Sequence, residues 1–95
     1  MARAQIERRL IDLTDRLNRL RDDLRIANEQ LEQLASEADD ARIRALVSET
    51  PVADKEHRVA DRHAQAMQKH RRAVMADIER LERVQDDLLD QLTGS

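Results

Sequence analysis

The apolar residues in the first half of this chain recur at alternating intervals of four and three residues, without interruption. This spacing is a strict heptad repeat, which keeps a narrow apolar seam on one side of a helix and favours a left-handed supercoil with a partner helix. The a positions of the seam are Leu10, Leu17, Leu24, Leu31, Ala38 and Ala45, and the d positions are Ile6, Leu13, Leu20, Ala27, Leu34 and Ala41.

The second half of the chain carries a seam with the same spacing. Three of its a positions are polar, namely His57, Arg71 and Gln85. A long side chain such as Arg71 can run its stem along a seam while its charged head stays in water. The remaining members of this seam are Ala53, Ala60, Ala64, Met67, Val74, Ile78, Leu81, Leu88 and Leu92. Two heptad segments in one chain predict a coiled coil.

Composition restricts the fold to helices. The 95 residues include no Phe, Trp, Tyr or Cys, only one Gly and one Pro, and 39% of them are charged. Compact globular cores normally use aromatic rings, and sheets need turn residues at short intervals. Abundant charge combined with Ala, Leu, Glu and Arg is typical of long helices. We therefore predict an all-α fold.

The sequence carries no targeting signal that we recognise. Its first residues, "MARAQIERRL", lack the apolar run of a signal peptide, and no stretch reaches the roughly 20 apolar residues of a membrane span. The net charge of −3 is too small to indicate nucleic acid or membrane binding through bulk electrostatics. We expect a cytoplasmic protein with no membrane partner.

The single proline separates the two heptad segments. Thr50 is a favourable helix N-cap and Pro51 a favourable first helical residue, which predicts helix one over about 3–48, a turn over about 48–50 and helix two over about 51–92. If the chain reverses there, the acidic stretch 29–40 faces the mostly basic stretch 58–69.

The predicted fold is therefore an antiparallel two-helix coiled-coil hairpin over residues 1–95, as a single domain. A lone hairpin buries only one seam, so we expect it to assemble into a homodimeric four-helix bundle. The alternative is one unbroken parallel dimer, kinked at Pro51.

No cluster of residues predicts catalysis or metal binding. His57, His63 and His70 all lie in helix two. His63 and His70 are about 10 Å apart along a helix, so they cannot share one ion. The chain has neither a Ser/His/Asp set nor a Gly-rich phosphate loop. We predict no enzymatic activity, no metal site and no cofactor.

Basic residues concentrate in helix two, around "KHRRAV". A patch of this kind can contact phosphates. It has no aromatic residue to stack against bases, and it would face the acidic stretch 29–40. An internally balanced flank is the favoured interpretation, and nucleic-acid binding is the weaker alternative. The candidate residues are Arg58, Arg62, Lys69, Arg71 and Arg72.

Apolar residues that lie off the seam gather around the predicted turn. Apart from His57, the seam residues beneath them are alanine, which lets the helices approach closely and predicts a thin tip. We predict that this tip contacts either a second copy of the chain or a different protein. The candidate partner-binding residues are Ile43, Leu46, Val47, Glu49, Val52, Asp54 and Val59.

The stretch "ARIRALVSETPVADKEH", with the return arm "RRAVMADIERLE", loosely resembles the N-terminal hairpin of the Gre-type transcript-cleavage factors. Proteins of that family insert an acidic tip into the secondary channel of RNA polymerase. The family's tip sequence around Gly-Asp and Glu-Asn is missing here, as is its second globular domain. The resemblance implies a tip that binds RNA polymerase, and the two missing features argue against a role in stimulating cleavage.

The favoured function is a non-enzymatic coiled-coil protein that acts through protein–protein interaction, as an adaptor, scaffold or regulatory hairpin. Its expected partners are itself and an unidentified protein. The alternative is a transcription regulator that binds RNA polymerase or a sigma factor through the tip. A second alternative is nucleic-acid binding through the basic face of helix two.

Overall fold

The computed structural model describes residues 2–94, and these residues form two long helices and no strand. Helix α1 spans Arg3–Ser48 and helix α2 spans Pro51–Thr93. The prediction of an all-helical chain with two long helices is confirmed. Within the described residues, neither helix contains a stretch that is long and apolar enough to cross a membrane.

Burial follows the heptad seam closely. In α1, the residues shielded from solvent are the a and d positions, and every other described residue of that helix is exposed. In α2, all the seam positions are buried or half-buried, including the polar His57, Arg71 and Gln85. Val59, Met75 and Val84 are also half-buried in α2, so its contact face is wider than the seam alone.

The chain divides into two units, which we call the terminal unit and the turn unit. The terminal unit joins the N-terminal half of α1 to the C-terminal half of α2, with its inner boundaries at Leu24 and Ala73. The turn unit is Arg25–Arg72 and contains the end of α1, the turn and the start of α2.

The terminal unit has a conventional aliphatic core. Leu17 is fully shielded from solvent at its centre. Partly buried leucines, among them Leu10 and Leu20, pack against this core. The buried members of the cluster are Ile6, Leu13, Leu17, Val74, Ile78, Leu81 and Leu88.

Polar contacts fix the direction of packing in the terminal unit. Gln85 donates a hydrogen bond to the Thr14 hydroxyl at 3.5 Å, and Arg21 lies 3.7 Å from Glu82. From the first pair to the second, the residue number rises in α1 and falls in α2, so the two segments run antiparallel. Both pairs are exposed, and such contacts each contribute on the order of 0.2–1 kcal/mol, so they specify register more than they stabilise.

The turn unit is a helical hairpin with a core of small side chains. Its buried residues are all alanine, namely Ala27, Ala38, Ala41 and Ala53. Its larger seam residues, such as Leu31 and Met67, are only half-buried. Because burial free energy scales with apolar area, this unit gains much less from its own packing than an aliphatic core of the same length would.

At the end of the turn unit that lies away from the turn, Arg71 links α2 to α1. Its guanidinium Nε donates a hydrogen bond to the Asn28 side-chain oxygen on α1. The residue next to Asn28 on α1 is the small, buried Ala27. The stem of Arg71 is half-buried while its head reaches a polar partner, as expected for a long cationic side chain at a seam position.

Replacing Leu17 with Ala should lower the free energy of unfolding by about 2–5 kcal/mol, because the substitution opens a cavity in the aliphatic core. Leu89, which is 44% exposed on α2, provides the matched control. Leu89→Ala should change stability by less than about 1 kcal/mol. Urea unfolding followed by circular dichroism measures both, and equal losses would show that the seam is not the core.

Candidate functional site

Hydrogen bonds stabilise the helix ends on both sides of the turn. The Glu49 N–H donates to the Ala45 carbonyl at 3.1 Å, and Glu49 has a φ of 52°. Many helices end at a residue in the left-handed conformation whose N–H donates to the carbonyl four residues earlier. That residue is usually Gly or Asn. Here the position is held by a glutamate.

The start of α2 is capped as the sequence predicts. The Thr50 hydroxyl accepts a hydrogen bond from the Ala53 N–H at 3.2 Å, and the Asp54 N–H donates to the Thr50 carbonyl at 3.1 Å. Pro51 is the first residue of the helix, where its missing N–H costs nothing. Asp54 lies in the first turn of α2, where a carboxylate is favourable beside the positive end of the helix dipole.

Large apolar side chains stand exposed on either side of this turn. On α1, Ile43, Leu46 and Val47 are 54%, 67% and 79% exposed, and Val52 on α2 is 67% exposed. Ile43, Leu46 and Val47 follow i, i+3, i+4 spacing, so they share one face of α1, and that face lies away from the seam. We call the exposed set the tip surface, which comprises Ile43, Leu46, Val47, Glu49, Val52 and Asp54.

Val59, which the sequence assigns to the same site, is less exposed than the residues of the tip surface. It is half-buried on α2, where it lines an open groove of about 500 Å³ within the turn unit. Val52 and Ala60 also line this groove, which therefore has an apolar floor. The charged and polar residues on its rim are Glu37, Lys55, Glu56 and His63.

This groove was not predicted from the sequence, although the sequence contains a signal for it. Val52 and Val59 are seven residues apart, which aligns them on α2 outside the seam. A second apolar line on one helix is the pattern that allows contact with a third helix. The proximity of Val52 and Val59 to the turn in sequence favours assigning both to the tip, whereas their helical spacing aligns them along α2.

The candidate basic patch is brought together only in part. Arg58, Arg62, Lys69 and Arg72 are all exposed and share one face of α2 by their helical spacing. Arg71 lies on a different side of the helix, half-buried and bound to Asn28. Within residues 2–94, no ion pair joins the stretch 58–69 to the acidic stretch 29–40.

The histidines do not converge on a ligand site. His63 and His70 are exposed on α2, and His57 is half-buried at a seam position near the turn. In the described part of the chain, no group of three or more His, Asp or Glu residues is placed to hold a metal ion.

Comparisons with known proteins give no relative from which a function could be transferred. No protein-family model matches the chain, and no curated protein or solved structure shows significant similarity to it.

Replacing Glu49 with Gly should stabilise the protein by about 1 kcal/mol, because a left-handed conformation costs a residue with a Cβ on the order of 1–2 kcal/mol. The neighbouring Ser48 is the control, since it ends α1 in helical geometry. Ser48→Gly should instead destabilise by about 0.5–1 kcal/mol. Thermal and urea unfolding give the sign directly, and a destabilised Glu49→Gly variant would contradict the strain argument.

Proposed function

We propose that this chain is a non-enzymatic coiled-coil protein that works by protein–protein interaction through its tip surface. The observation that carries this proposal is the concentration of exposed apolar side chains at the turn. Among the described residues, four of the seven exposed large hydrophobic side chains lie between positions 43 and 52. Contiguous exposed apolar residues on an otherwise charged surface are typical of a binding site.

The tip surface has the anatomy of a small interface. Its apolar centre is formed by Ile43, Leu46 and Val47, and its acidic rim by Glu49 and Asp54. Fully burying an aliphatic side chain contributes roughly 1.5–3 kcal/mol, so three such residues can anchor a partner. The acidic rim favours a partner that has basic residues around an apolar cleft.

The backbone at the turn supports the same proposal. Glu49 keeps a left-handed conformation that Gly or Asn would adopt at lower cost. Backbone strain of this kind is found preferentially at functional sites. A glutamate retained at such a position is readily explained if its carboxylate contacts the partner.

The alternative proposal is a transcription regulator whose partner is RNA polymerase or a sigma factor. The acidic tip of the turn unit suits entry into a channel or cleft of a large assembly.

We further propose that the protein self-associates into a homodimeric four-helix bundle. The support comes from the turn unit, whose fully buried side chains are all alanine and whose large aliphatic residues remain exposed or half-buried. Two-helix structures with so little buried area usually need a further partner helix for stability.

Sedimentation analysis over a range of protein concentrations tests the self-association. We expect a shift from monomer to dimer as concentration rises, with increased thermal stability of the turn unit, because association stabilises the folded state by mass action. A stably folded protein that stays monomeric at all concentrations would rule out the four-helix bundle.

Replacing Leu46 with Asp should abolish recovery of a foreign partner from an extract of the source cells, because a charge would be placed in the apolar centre of the tip surface. Ile11→Asp is the matched control, since Ile11 is also exposed on α1 (62%, compared with 67% for Leu46) but lies in the terminal unit. Glu49→Lys tests the acidic rim in the same assay. Partners recovered equally with Leu46→Asp and with the unchanged chain would mean that the tip is only a turn.

A further inference from the structure

We infer that two copies of the chain pair through the groove on α2. The α2 helix of one copy packs against the α2 helix of the other along the groove, and the two helices run parallel. This inference rests on the proposed self-association and specifies where and how the two copies meet. It concerns the turn unit alone, and it uses a face of α2 that is centred on Val52 and Val59 and borders the seam at Ala60.

The groove presents one apolar line to a partner helix. Val52 and Val59 form it, and the exposed Ala66 continues it after another seven residues. Residues seven apart remain aligned when two helices supercoil. A second helix can therefore run along this line, with the valines of each copy at its centre.

The two edges of the line carry opposite charge. Lys55 and Arg62 lie three residues after Val52 and Val59, which places both bases on one side of the line. Glu56 and His63 lie four residues after Val52 and Val59, on the other side, and Glu37 of α1 joins them on that rim of the groove. One edge therefore carries two bases, and the other carries two acids and a histidine.

These charges are available to a partner. In the described residues, Lys55, Arg62 and Glu56 form no ion pair within the chain, and Glu37 accepts only a hydrogen bond from Gln33 at 3.3 Å. Their side chains are exposed along the apolar line. Charges beside an apolar seam are the groups that select partner and orientation in coiled coils.

The opposite edges decide the direction of pairing. If a two-fold axis runs parallel to the helices, the basic edge of one copy meets the acidic edge of the other, on both sides of the interface. Lys55 then lies opposite the second copy's Glu56, and Arg62 lies at the level of its Glu37. If the axis runs across the helices, basic meets basic and acidic meets acidic, which is unfavourable. Electrostatics therefore selects the parallel arrangement.

The contact is short, so the dimer should be concentration-dependent. The line from Val52 to Ala66 extends for about 20 Å at 1.5 Å per residue. An interface of this length falls at the small end of specific protein–protein interfaces, where complexes form and dissociate readily.

Charge reversal tests both the place and the direction of pairing. Lys55→Glu and Glu56→Lys each create two like-charge contacts in a symmetric parallel dimer. We expect each variant alone to dissociate at least ~10-fold more readily than the unchanged chain in sedimentation analysis, which corresponds to about 1.4 kcal/mol. An equimolar mixture of the two variants should restore the dimer, because every edge contact then joins Glu to Lys.

Asp61→Lys is the matched control, because it makes the same charge change on the opposite side of α2. It should leave the dimer unchanged. Circular dichroism should show equal helicity for all variants, since the altered side chains are exposed.

Disulfide trapping provides an independent measure of direction, since the chain has no native cysteine. With glutathione disulfide as oxidant, Val52→Cys and Val59→Cys should each link readily to a second copy of the same variant. Preferential linking of Val52→Cys to Val59→Cys would indicate the antiparallel arrangement and overturn the inference.

The outcomes separate this inference from the proposal on which it rests. If the unchanged chain dimerises but the single charge reversals dimerise equally well, the groove is not the interface, while self-association stands. If the unchanged chain is monomeric at every concentration, both are overturned. If the Lys55→Glu and Glu56→Lys variants dimerise poorly alone and dimerise when mixed, both the groove interface and the proposed self-association are supported.

Discussion

The seven-residue periodicity of the apolar residues is the constraint on which the whole structure depends. It allows α1 to bury one narrow stripe, and the burial along that helix follows the stripe residue by residue. Every other described residue of α1 faces solvent, so exposed apolar residues such as Ile43 and Val47 are the informative features of its outer surface.

The side chains of the seam differ in size between the terminal unit and the turn unit. Leucine, isoleucine and valine fill the seam of the terminal unit, whereas alanine fills the buried positions of the turn unit. The aliphatic core supplies most of the hydrophobic stabilisation, since this scales with buried apolar area. The turn unit is thus the part whose stability gains most from a partner, and it is also the part that exposes the tip surface and the groove.

Much of the fold could be predicted from the sequence, because the heptad pattern and the Thr50–Pro51 pair are local signals whose physics does not depend on distant residues. The left-handed Glu49 could not, since the usual Gly or Asn is absent and only the geometry of the reversal requires it. The groove was not predicted either, although the seven-residue spacing of Val52 and Val59 aligns them along α2. The basic patch comes together only in part, because Arg71 lies on the seam while its neighbours lie on an outer face.

The tip surface and the groove are linked through Val52, which belongs to both. A parallel pairing of α2 helices would cover part of Val52 and bring the turns of both copies to the same end of the paired turn units. Ile43, Leu46 and Val47 lie on α1, outside the groove, so they would stay exposed in each copy. Two tip surfaces held side by side would engage a partner that has two matching sites with a much higher effective concentration than one copy provides. Self-association would then strengthen recognition of a foreign protein, and the choice of a parallel over an antiparallel pairing would acquire a functional consequence.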